Sequence, residues 1–437
     1  MAALERLEKS ENDAYQYVPP TEEELAEQRS LCMNGDILFS ILVPVYCTPE
    51  KYFKEMVQSV MDQSYPNWEL LLGDASPDSR LQKIAEEIGD TRVKYIRIAE
   101  NKGISANTNV VLKQARGQYI GLLDHDDVLA PDALFMMYRT IKECEKKGAK
   151  AGLIYSDEDK GDGEMVHFYD VNTKPAFDQD YLWSNNYICH FTVMEAELMK
   201  SLEFRTEYDG AQDYDIILRA VRTIEKQRKS FAVNSQVLNI SKVLYHWRCH
   251  TDSTAVNPQS KLYAYEAGKR AVEEDLAVRG IKAHVSHSKH LGFYRVDYED
   301  VFRDRPEVAA VAGPVYQKGR IERGAKDSRG QVLYKGLRKG FSGGHLHKAG
   351  VWQQCAAADF EHMVVRTDAF FDFLSSQDLR PDSIAIRSKD FFVDSDIVLA
   401  MEVLSDQCEE EMDRLCTAWA NYVHARNMVI LYDPELS

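Results

Sequence analysis

Four short apolar runs alternate with amphipathic segments between residues 38 and 127 of this 437-residue chain. The runs "LFSILVPVY", "WELLLGD", "VKYIRIA" and "QYIGLLD" have the length and composition of buried strands. The segments between them, "PEKYFKEMVQSVMDQS", residues 78–88 and "ISANTNVVLKQA", have helical spacing. Strands separated by helices form a mainly parallel sheet with both faces covered. The sequence therefore predicts an α/β domain with a Rossmann-like sheet.

Polar residues stand where the chain leaves each of these strands. The positions are Val45–Tyr46, Gly73–Asp74, Glu100–Asn101 and Asp124–Asp127. In open α/β sheets, ligands bind at the carboxyl ends of the strands. We therefore expect these residues to border a ligand crevice.

The fourth run ends in Asp124, His125, Asp126 and Asp127. Adjacent carboxylates repel one another, so a chain tolerates them cheaply only where water or a cation lies between them. One interpretation is a solvated turn whose acids cap the next helix. The other is a divalent-cation site, because carboxylates suit Mg²⁺ or Mn²⁺ and such sites usually keep substrate phosphates as ligands.

Two later segments raise the same choice between a structural and a functional role. Asp213 and Asp215 stand at a predicted helix start in "GAQDYDIILRA", where they either cap the helix or supply a general base from Asp213. His246 ends the strand in "YHWR" and is either structural or a third metal ligand, since imidazole suits Mn²⁺ better than Mg²⁺.

Six motifs occur in order at plausible spacing: "FSILVPVYCTPEKYFKEMVQSVMDQSYPNWELLLGDASPD", "NKGISANTN", "GQYIGLLDHDD", "YSDEDK", "GAQDYDIILRA" and "YHWR". Together they resemble family 2 glycosyltransferases with a GT-A fold. More narrowly, they resemble the tandem-module bacterial enzymes that build surface polysaccharides. The resemblance covers residues 15 to about 298, and the six motifs in order make it specific.

The resemblance implies roles for particular positions. Nucleotide contacts would come from Pro44, Val45, Tyr46, Asp74, Asn101, Gly103, Asn107 and Asp124. Metal ligands for Mn²⁺ or Mg²⁺ would be Asp124, Asp126 and His246, with Asp126 the more direct ligand of the two aspartates. Asp213 would be the catalytic base. The motif departs from many members at Gln212, where they have Glu, and at "NTN", residues 107–109, where they have Ala-Arg-Asn.

The implied chemistry is a single displacement that inverts the anomeric carbon. The bound metal would neutralise the diphosphate of a UDP or dTDP sugar. The acceptor, a growing glycan or a lipid-linked glycan, would contact Asp157, Trp183, Asn186, His190, Gln212, Trp247 and Arg248. The donor sugar is expected to be a hexose, with rhamnose as one candidate.

Four segments are expected along the chain. These are an N-terminal helical arm (1–36), the glycosyltransferase domain (37–257), a helix and strands that close it (258–300), and a half-module (301–437). The half-module resembles only the later half of a second glycosyltransferase module, so we expect it to be non-catalytic and either to pack on the first domain or to mediate homodimer formation. The alternative is a separate site with His345, His347 and Asp394.

Composition narrows the possible partners and compartments. A net charge of −17 argues against nucleic acid. Eight scattered cysteines, no signal peptide and no long apolar window predict a cytoplasmic protein, with attachment to the inner membrane face left open. A sugar-nucleotide pyrophosphorylase is a second enzyme class, but it needs a Gly-rich basic loop where this chain has "VPVYCTPE". A catalytically inactive assembly subunit is the non-enzyme alternative.

Overall fold

The computed structural model describes residues 15–33, 35–227, 236–249, 262–341, 343, 347–360, 363–377, 386–388, 399–401 and 409–436. They form two compact units. The first comprises residues up to 177 and 186–271, and the second comprises 178–185 and the residues from 272 onward. Among the described residues, no helix combines the length and apolar character needed to cross a membrane.

The first unit is built on one nine-stranded sheet. Its strands are β1 (Phe39–Val45), β2 (Trp68–Asp74), β3 (Val93–Arg97), β4 (Tyr119–Leu122), β5 (Val128–Leu129), β6 (Leu153–Gly161), β7 (Phe168–Asn172), β8 (Thr192–Glu195) and β9 (Val237–Arg248). The order is β3-β2-β1-β4-β8-β6-β9-β5, and β7 pairs with β6. Strands β1 to β4 pair in parallel, as do β6 and β9, while β8 runs antiparallel between β4 and β6. The predicted α/β class with a mainly parallel sheet is confirmed.

The helices of the first unit cover this sheet. They are α1 (Glu22–Leu31), α2 (Glu50–Met61), α3 (Arg80–Ile88), α4 (Ile104–Leu112), α5 (Ala133–Lys146), α7 (Ala196–Leu202) and α8 (Gln212–Lys226). Helix α2 shows why they pack there: Phe53, Met56, Val57 and Val60 are buried at helical spacing and form one apolar face. Helix α1 begins with a capping box formed by Thr21 and Glu24.

The second unit contains a six-stranded sheet and three small hairpins or strand pairs. Its strands are β10 (Ala283–His287), β11 (Tyr294–Tyr298), β12 (Val308–Ala312), β13 (Val315–Gln317), β14 (Arg320–Arg323), β15 (Ala325–Lys326), β16 (Gln353–Cys355), β17 (Ala357–Ala358), β18 (Met363–Val365), β19 (Ile386–Ser388), β20 (Leu399–Met401) and β21 (Val429–Tyr432). The larger sheet has the order β16-β21-β12-β18-β20-β19. Its helices are α6 (Gln179–Ser184), α10 (Val301–Asp304), α11 (Thr367–Ser376) and α12 (Glu409–Ala425), and the end of α9 (Leu262–Arg279).

Helix α6 departs from the predicted linear order of segments. It lies between two strands of the first unit in sequence, yet it packs in the second unit. Its Trp183 indole N–H donates to Asp275 Oδ2 at 2.9 Å, and Asp180 Oδ1 lies 2.7 Å from Arg305 Nη1. Both acceptor carboxylates are buried, so these contacts tie α6 to the later part of the chain.

Glu69 is a buried carboxylate inside strand β2. It accepts hydrogen bonds from Ser40 Oγ at 2.7 Å, the backbone N–H of Arg116 at 2.7 Å and Lys94 Nζ at 2.5 Å. Burial by itself would raise the pKa of Glu69, but these donors outweigh it and lower that pKa to about 2. The carboxylate therefore fastens the amino ends of β1, β2 and β4 to one another.

We expect Glu69→Gln to lower the free energy of unfolding by about 2 kcal/mol at neutral pH. The full pKa shift corresponds to about 3 kcal/mol, discounted because Lys94 and Arg116 are partly exposed. Since the folded-state pKa lies below the unfolded one, this stabilisation is present above about pH 5 and is lost as the pH falls. Urea unfolding at about pH 7 and about pH 3.5 should show the difference between variant and wild type narrowing at acid pH. The exposed Glu87→Gln is the control, and a difference independent of pH would contradict the assignment.

Candidate active site

The three carboxylates of the acidic turn after β4 differ in how far they are buried. The Asp124 side chain is 51% exposed and that of Asp126 is 22% exposed, whereas Asp127 is buried. Asp127 accepts a hydrogen bond from Tyr245 Oη at 2.5 Å and from the backbone N–H of Arg248 at 2.7 Å. Burial, followed by the charges of Asp126 and Asp124, raises the pKa of Asp127 well above its ordinary value. Asp127 thus anchors the turn to β9, and Asp124 and Asp126 are the more exposed carboxylates of the turn.

Arg248 at the end of β9 holds the same turn from inside. Its guanidinium is buried; Nε donates to the carbonyl of Asp126 at 2.5 Å and Nη1 to the carbonyl of Gly163 at 2.7 Å. Nη2 forms an ion pair with Glu55 at 2.8 Å, and the ring of Tyr52 lies 4.4 Å from the guanidinium carbon. The sequence placed Arg248 on the acceptor. The structure corrects this, because its guanidinium is engaged inside the protein.

His246 is enclosed rather than open to a ligand. Its Nδ1 lies 2.6 Å from Asp159 Oδ1, and its ring packs edge-on against Tyr17 at 4.3 Å and beside Phe168 at 4.5 Å. The other oxygen of Asp159 accepts a hydrogen bond from Tyr15 Oη at 2.6 Å. The ring is therefore fixed by an internal carboxylate and by the segment that precedes α1.

The predicted three-ligand set of Asp124, Asp126 and His246 does not come together. In the part of the chain that the structure describes, no three His, Cys, Asp or Glu side chains form a group that could hold a metal. His246 is instead buried, with its ring enclosed by Tyr17 and Phe168. The two more exposed carboxylates at this strand end still match the preference of Mg²⁺ and Mn²⁺ for one or two protein carboxylates plus substrate phosphates.

His190 is the imidazole beside the acidic turn. Its Nε2 lies 3.7 Å from Asp124 Oδ2, its Nδ1 lies 3.0 Å from Glu158 Oε2, and its ring stacks on Tyr245 at 4.7 Å. Burial opposes the charged form, but the carboxylates of Asp124 and Glu158 outweigh it and raise the pKa of His190 well above its ordinary value. His190, which the sequence placed on the acceptor, thus adds a cationic group next to Asp124.

Asp213 occupies the first turn of α8, where the helix dipole favours a carboxylate. Its Oδ2 accepts hydrogen bonds from Asn186 Nδ2 and from Cys189 Sγ, both at 2.9 Å. Burial, with the charge of Asp213, raises the pKa of Cys189 to about 12, so the thiol keeps its proton and acts as the donor. Gln212 accepts a hydrogen bond from the backbone N–H of Gly210 at 2.9 Å, which stabilises the turn before the helix.

Two residues that were not predicted from the sequence, Glu158 and Lys174, contact His190. Glu158 accepts from Asn172 Nδ2 at 2.9 Å and pairs with Lys174 at 3.7 Å and with His190. Burial by itself would raise the pKa of Glu158, but Lys174 and His190 outweigh it and lower that pKa. The acidic run "SDEDK" hinted at Glu158, but nothing in the sequence around Lys174 distinguishes it from a surface lysine.

The residues predicted to contact the nucleotide include the ends of β1 and β2. Asp74 is buried; its Oδ1 accepts from the backbone N–H of Ser76 at 2.7 Å and its Oδ2 from Tyr95 Oη at 2.5 Å. At the end of β1, Val45 is buried, Pro44 is half-buried and Tyr46 is 51% exposed. The predicted nucleotide residues therefore share one edge of the sheet, with Tyr46 as the exposed ring.

The loop before α4 needs a glycine at its centre. Gly103 has a φ of 93°, and a Cβ there would lie 2.2 Å from Asp209 Oδ2. Asn101 Oδ1 accepts from the backbone N–H of Gly103 at 3.1 Å and from Asn107 Nδ2 at 2.9 Å. Asp209 also accepts from the backbone N–H of Ser105 at 3.1 Å. The predicted Asn101, Gly103 and Asn107 thus form one hydrogen-bonded unit.

The remaining acceptor candidates divide between surface and interior. Trp247 is half-buried, with its ring 5.8 Å from that of His190. Asp157 is buried and accepts from the backbone N–H of Lys174 at 2.8 Å. Trp183 is buried in the second unit, so the structure corrects its prediction as a sugar contact.

The profile of the family described as "Glycosyl transferase family 2" matches residues 40–202, a span that includes Asp124 and Asp126. An uncharacterized glycosyltransferase of Haemophilus influenzae is 41% identical over 209 residues, which cover 47% of this chain and 80% of that protein. The chain belongs to glycosyltransferase family 2.

Longer relatives of this glycosyltransferase chain match it in part of their length. The O-antigen biosynthesis protein RfbC of Myxococcus xanthus is 30% identical over 278 residues, covering 63% of this chain and 20% of the relative. The chain spans 27% of the length of another long relative. Among solved structures, residues 1–349 of Staphylococcus aureus TarS in complex with UDP align with a TM-score of 0.41 and 20% identity, over 55% of this chain and 65% of that one.

Proposed function

We propose that this chain is an inverting, metal-dependent glycosyltransferase. It moves a hexose, with rhamnose as one candidate, from a UDP or dTDP sugar to a hydroxyl of a growing cell-surface polysaccharide or lipid-linked glycan. The observation that carries the proposal is the Asp213 carboxylate, fixed on one oxygen by Asn186 and Cys189. The next residue, His190, reaches the exposed Asp124. One short loop therefore links a base to the acidic turn.

The chain's own groups perform the steps of this reaction. The ends of β1 and β2, with the Asn101 loop, bind the nucleotide. Asp124 and Asp126 are the residues that would hold Mn²⁺ or Mg²⁺, which supplies charge neutralisation to the departing diphosphate when bound. Asp213 accepts the proton of the acceptor hydroxyl as the oxygen attacks the anomeric carbon. Because one displacement occurs, the anomeric configuration inverts.

A nucleotide-binding panel tests this proposal. UDP, dTDP, GDP and CDP, each with and without Mn²⁺ or Mg²⁺, are added to wild type and to Asp126→Ala. A ligand at about 100 times its Kd stabilises by about 2.7 kcal/mol, which raises Tm by roughly 5 °C. We expect a shift with UDP or dTDP that needs the metal and is lost in Asp126→Ala.

The control for the panel is Asp90→Ala, which removes a carboxylate just before β3, at the opposite edge of the sheet from the acidic turn. It should keep the nucleotide-dependent shift. If no nucleotide shifts the wild type, the alternative of a catalytically inactive assembly subunit takes its place. Nucleotide release from the matching nucleotide hexose then separates an active enzyme from a binding protein.

A cytoplasmic location, peripheral contact with the inner membrane face and a homodimer through the second unit also belong to the proposal. Residues 318–341 carry eight Lys or Arg against two Asp or Glu, in a chain of net charge −17. They include strand β14, which pairs with β13, and an antiparallel backbone bridge joins Arg320 to Arg338. Clustered cations favour anionic lipid surfaces. Sedimentation with anionic vesicles, compared with zwitterionic vesicles, measures this contact with the membrane.

His345 and Asp394 of the alternative second site lie outside the described residues, and His347 stacks on His290.

A further inference from the structure

Lys174 is a buried cation whose ion pair with Glu158 is long. Its side chain is 0% exposed, and its ammonium lies 3.7 Å from Glu158, longer than a hydrogen bond. Its close contacts are instead with the backbone carbonyls of Cys189, at 2.5 Å, and of His190. Burying a charge is costly unless strong partners surround it. The two carbonyls are therefore the strong partners of this ammonium, and their place in the chain shows what Lys174 holds.

The two carbonyls belong to the loop 186–190, between α6 and β8. This loop carries both donors to the Asp213 carboxylate, Asn186 Nδ2 and Cys189 Sγ. Both donors meet the same oxygen, Oδ2. Within the described residues, Asp213 Oδ1 accepts no hydrogen bond, so the two oxygens of this carboxylate are distinguished by the loop.

We propose that Lys174 is a positioning residue for the base. By holding the carbonyls of residues 189 and 190, it fixes loop 186–190 so that Asn186 and Cys189 occupy Oδ2 and leave Oδ1 to accept the proton. This inference rests on the proposed role of Asp213. Lys174 itself touches neither substrate nor base and acts through the loop.

The alternative is that Lys174 serves only the stability of the core. Such a role would lower Tm in a variant and leave the rate per folded molecule unchanged. A positioning role predicts a lower rate per folded molecule, because a displacement of about 1 Å at a reacting group costs about 100-fold in rate. The two roles therefore separate in kcat, in KM and in the exposure of Cys189.

The main variant is Lys174→Met, assayed by nucleotide release from UDP-glucose and dTDP-rhamnose. We expect kcat to fall about 100-fold with the donor KM within about threefold of wild type. Alkylation of Cys189 by iodoacetamide, followed by peptide mapping, should become at least about tenfold faster because the loop loses its anchor. The control Lys242→Met removes another lysine paired with a buried carboxylate, Asp132, and should leave kcat and Cys189 alkylation at wild-type values.

Variants of Cys189 test the contact between the loop and Asp213 directly, whether or not Lys174→Met folds. Cys189→Ala removes a donor to Oδ2 and should lower kcat about fivefold to tenfold, whereas Cys189→Ser keeps a donor and should restore most of the rate. Equal rates in the Ala and Ser variants would overturn the proposal, as would wild-type alkylation of Cys189 in Lys174→Met. Alkylation needs no turnover, so it tests the loop even if the wild type releases no nucleotide, a result that would count against the proposed function instead.

Discussion

Asp213→Asn should lower kcat about 1,000-fold while the nucleotide still raises Tm as in wild type. A positioned general base contributes about 10² to 10⁴ in rate, and the amide of Asn cannot accept the proton. The substitution keeps the size of the side chain and its place in the first turn of α8. The proposed nucleotide contacts lie at β1, β2 and the acidic turn rather than on α8, so nucleotide binding should not change. Initial rates and thermal shifts on the same preparations measure both effects.

Asp215 provides a matched control two residues along the same helix. It is buried between Arg205 at 2.5 Å and Arg219 at 2.6 Å, so its charge is used inside the fold. Asp215→Asn should lower Tm because it weakens two buried ion pairs. Its kcat per folded molecule should stay within a few-fold of wild type. An Asp213→Asn enzyme that retains kcat within threefold would remove Asp213 from the mechanism.

Arg248→Met should lower the free energy of unfolding by about 3 kcal/mol. The change removes a buried cation that bonds the carbonyls of Asp126 and Gly163 and pairs with Glu55, and losing one partner of a buried pair typically costs several kcal/mol. It should also weaken the metal-dependent nucleotide shift, because the turn that carries Asp126 loses its tether. Urea unfolding and the nucleotide panel measure the two effects.

The comparison for this variant is Arg139→Met, which removes an exposed arginine paired with Glu143 on α5. Exposed pairs of this kind contribute about 0.3 to 0.5 kcal/mol. If both variants lose the same stability, the internal tether is not what Arg248 supplies. If Arg248→Met keeps both its stability and the nucleotide shift, an acceptor contact becomes the better assignment for Arg248.

Strands β1 to β4 were predictable because each is a short, mainly apolar run. Strands buried on both faces need no alternation, and the residues that end them are polar. The segment "NNYICHFTVM" has the composition of one continuous strand, but strand β8 begins only at Thr192, and residues 186–190 form the loop that contacts Asp213. Tyr187 and Ile188 are buried as strand residues would be, but the carbonyls of 189 and 190 bond Lys174 rather than a neighbouring strand.

The site was predictable to the level of strand ends and not beyond. Sequence order brings the acidic turn and Asp213 into one unit, because the topology of the sheet follows from the pattern. It does not reveal which polar side chains are used internally. Asp127, His246 and Arg248 look as available as Asp126 in the sequence, and only their contacts with Tyr245, Asp159 and Glu55 separate them.

The place of α6 has a consequence for how such a chain can be inherited. Residues 178–185 are encoded within the first unit but depend on partners, Asp275 and Arg305, that are encoded about a hundred codons later. A recombination event with one breakpoint after residue 257 would deliver Asp180 and Trp183 without those partners. The segments that encode the two units are therefore expected to be inherited together.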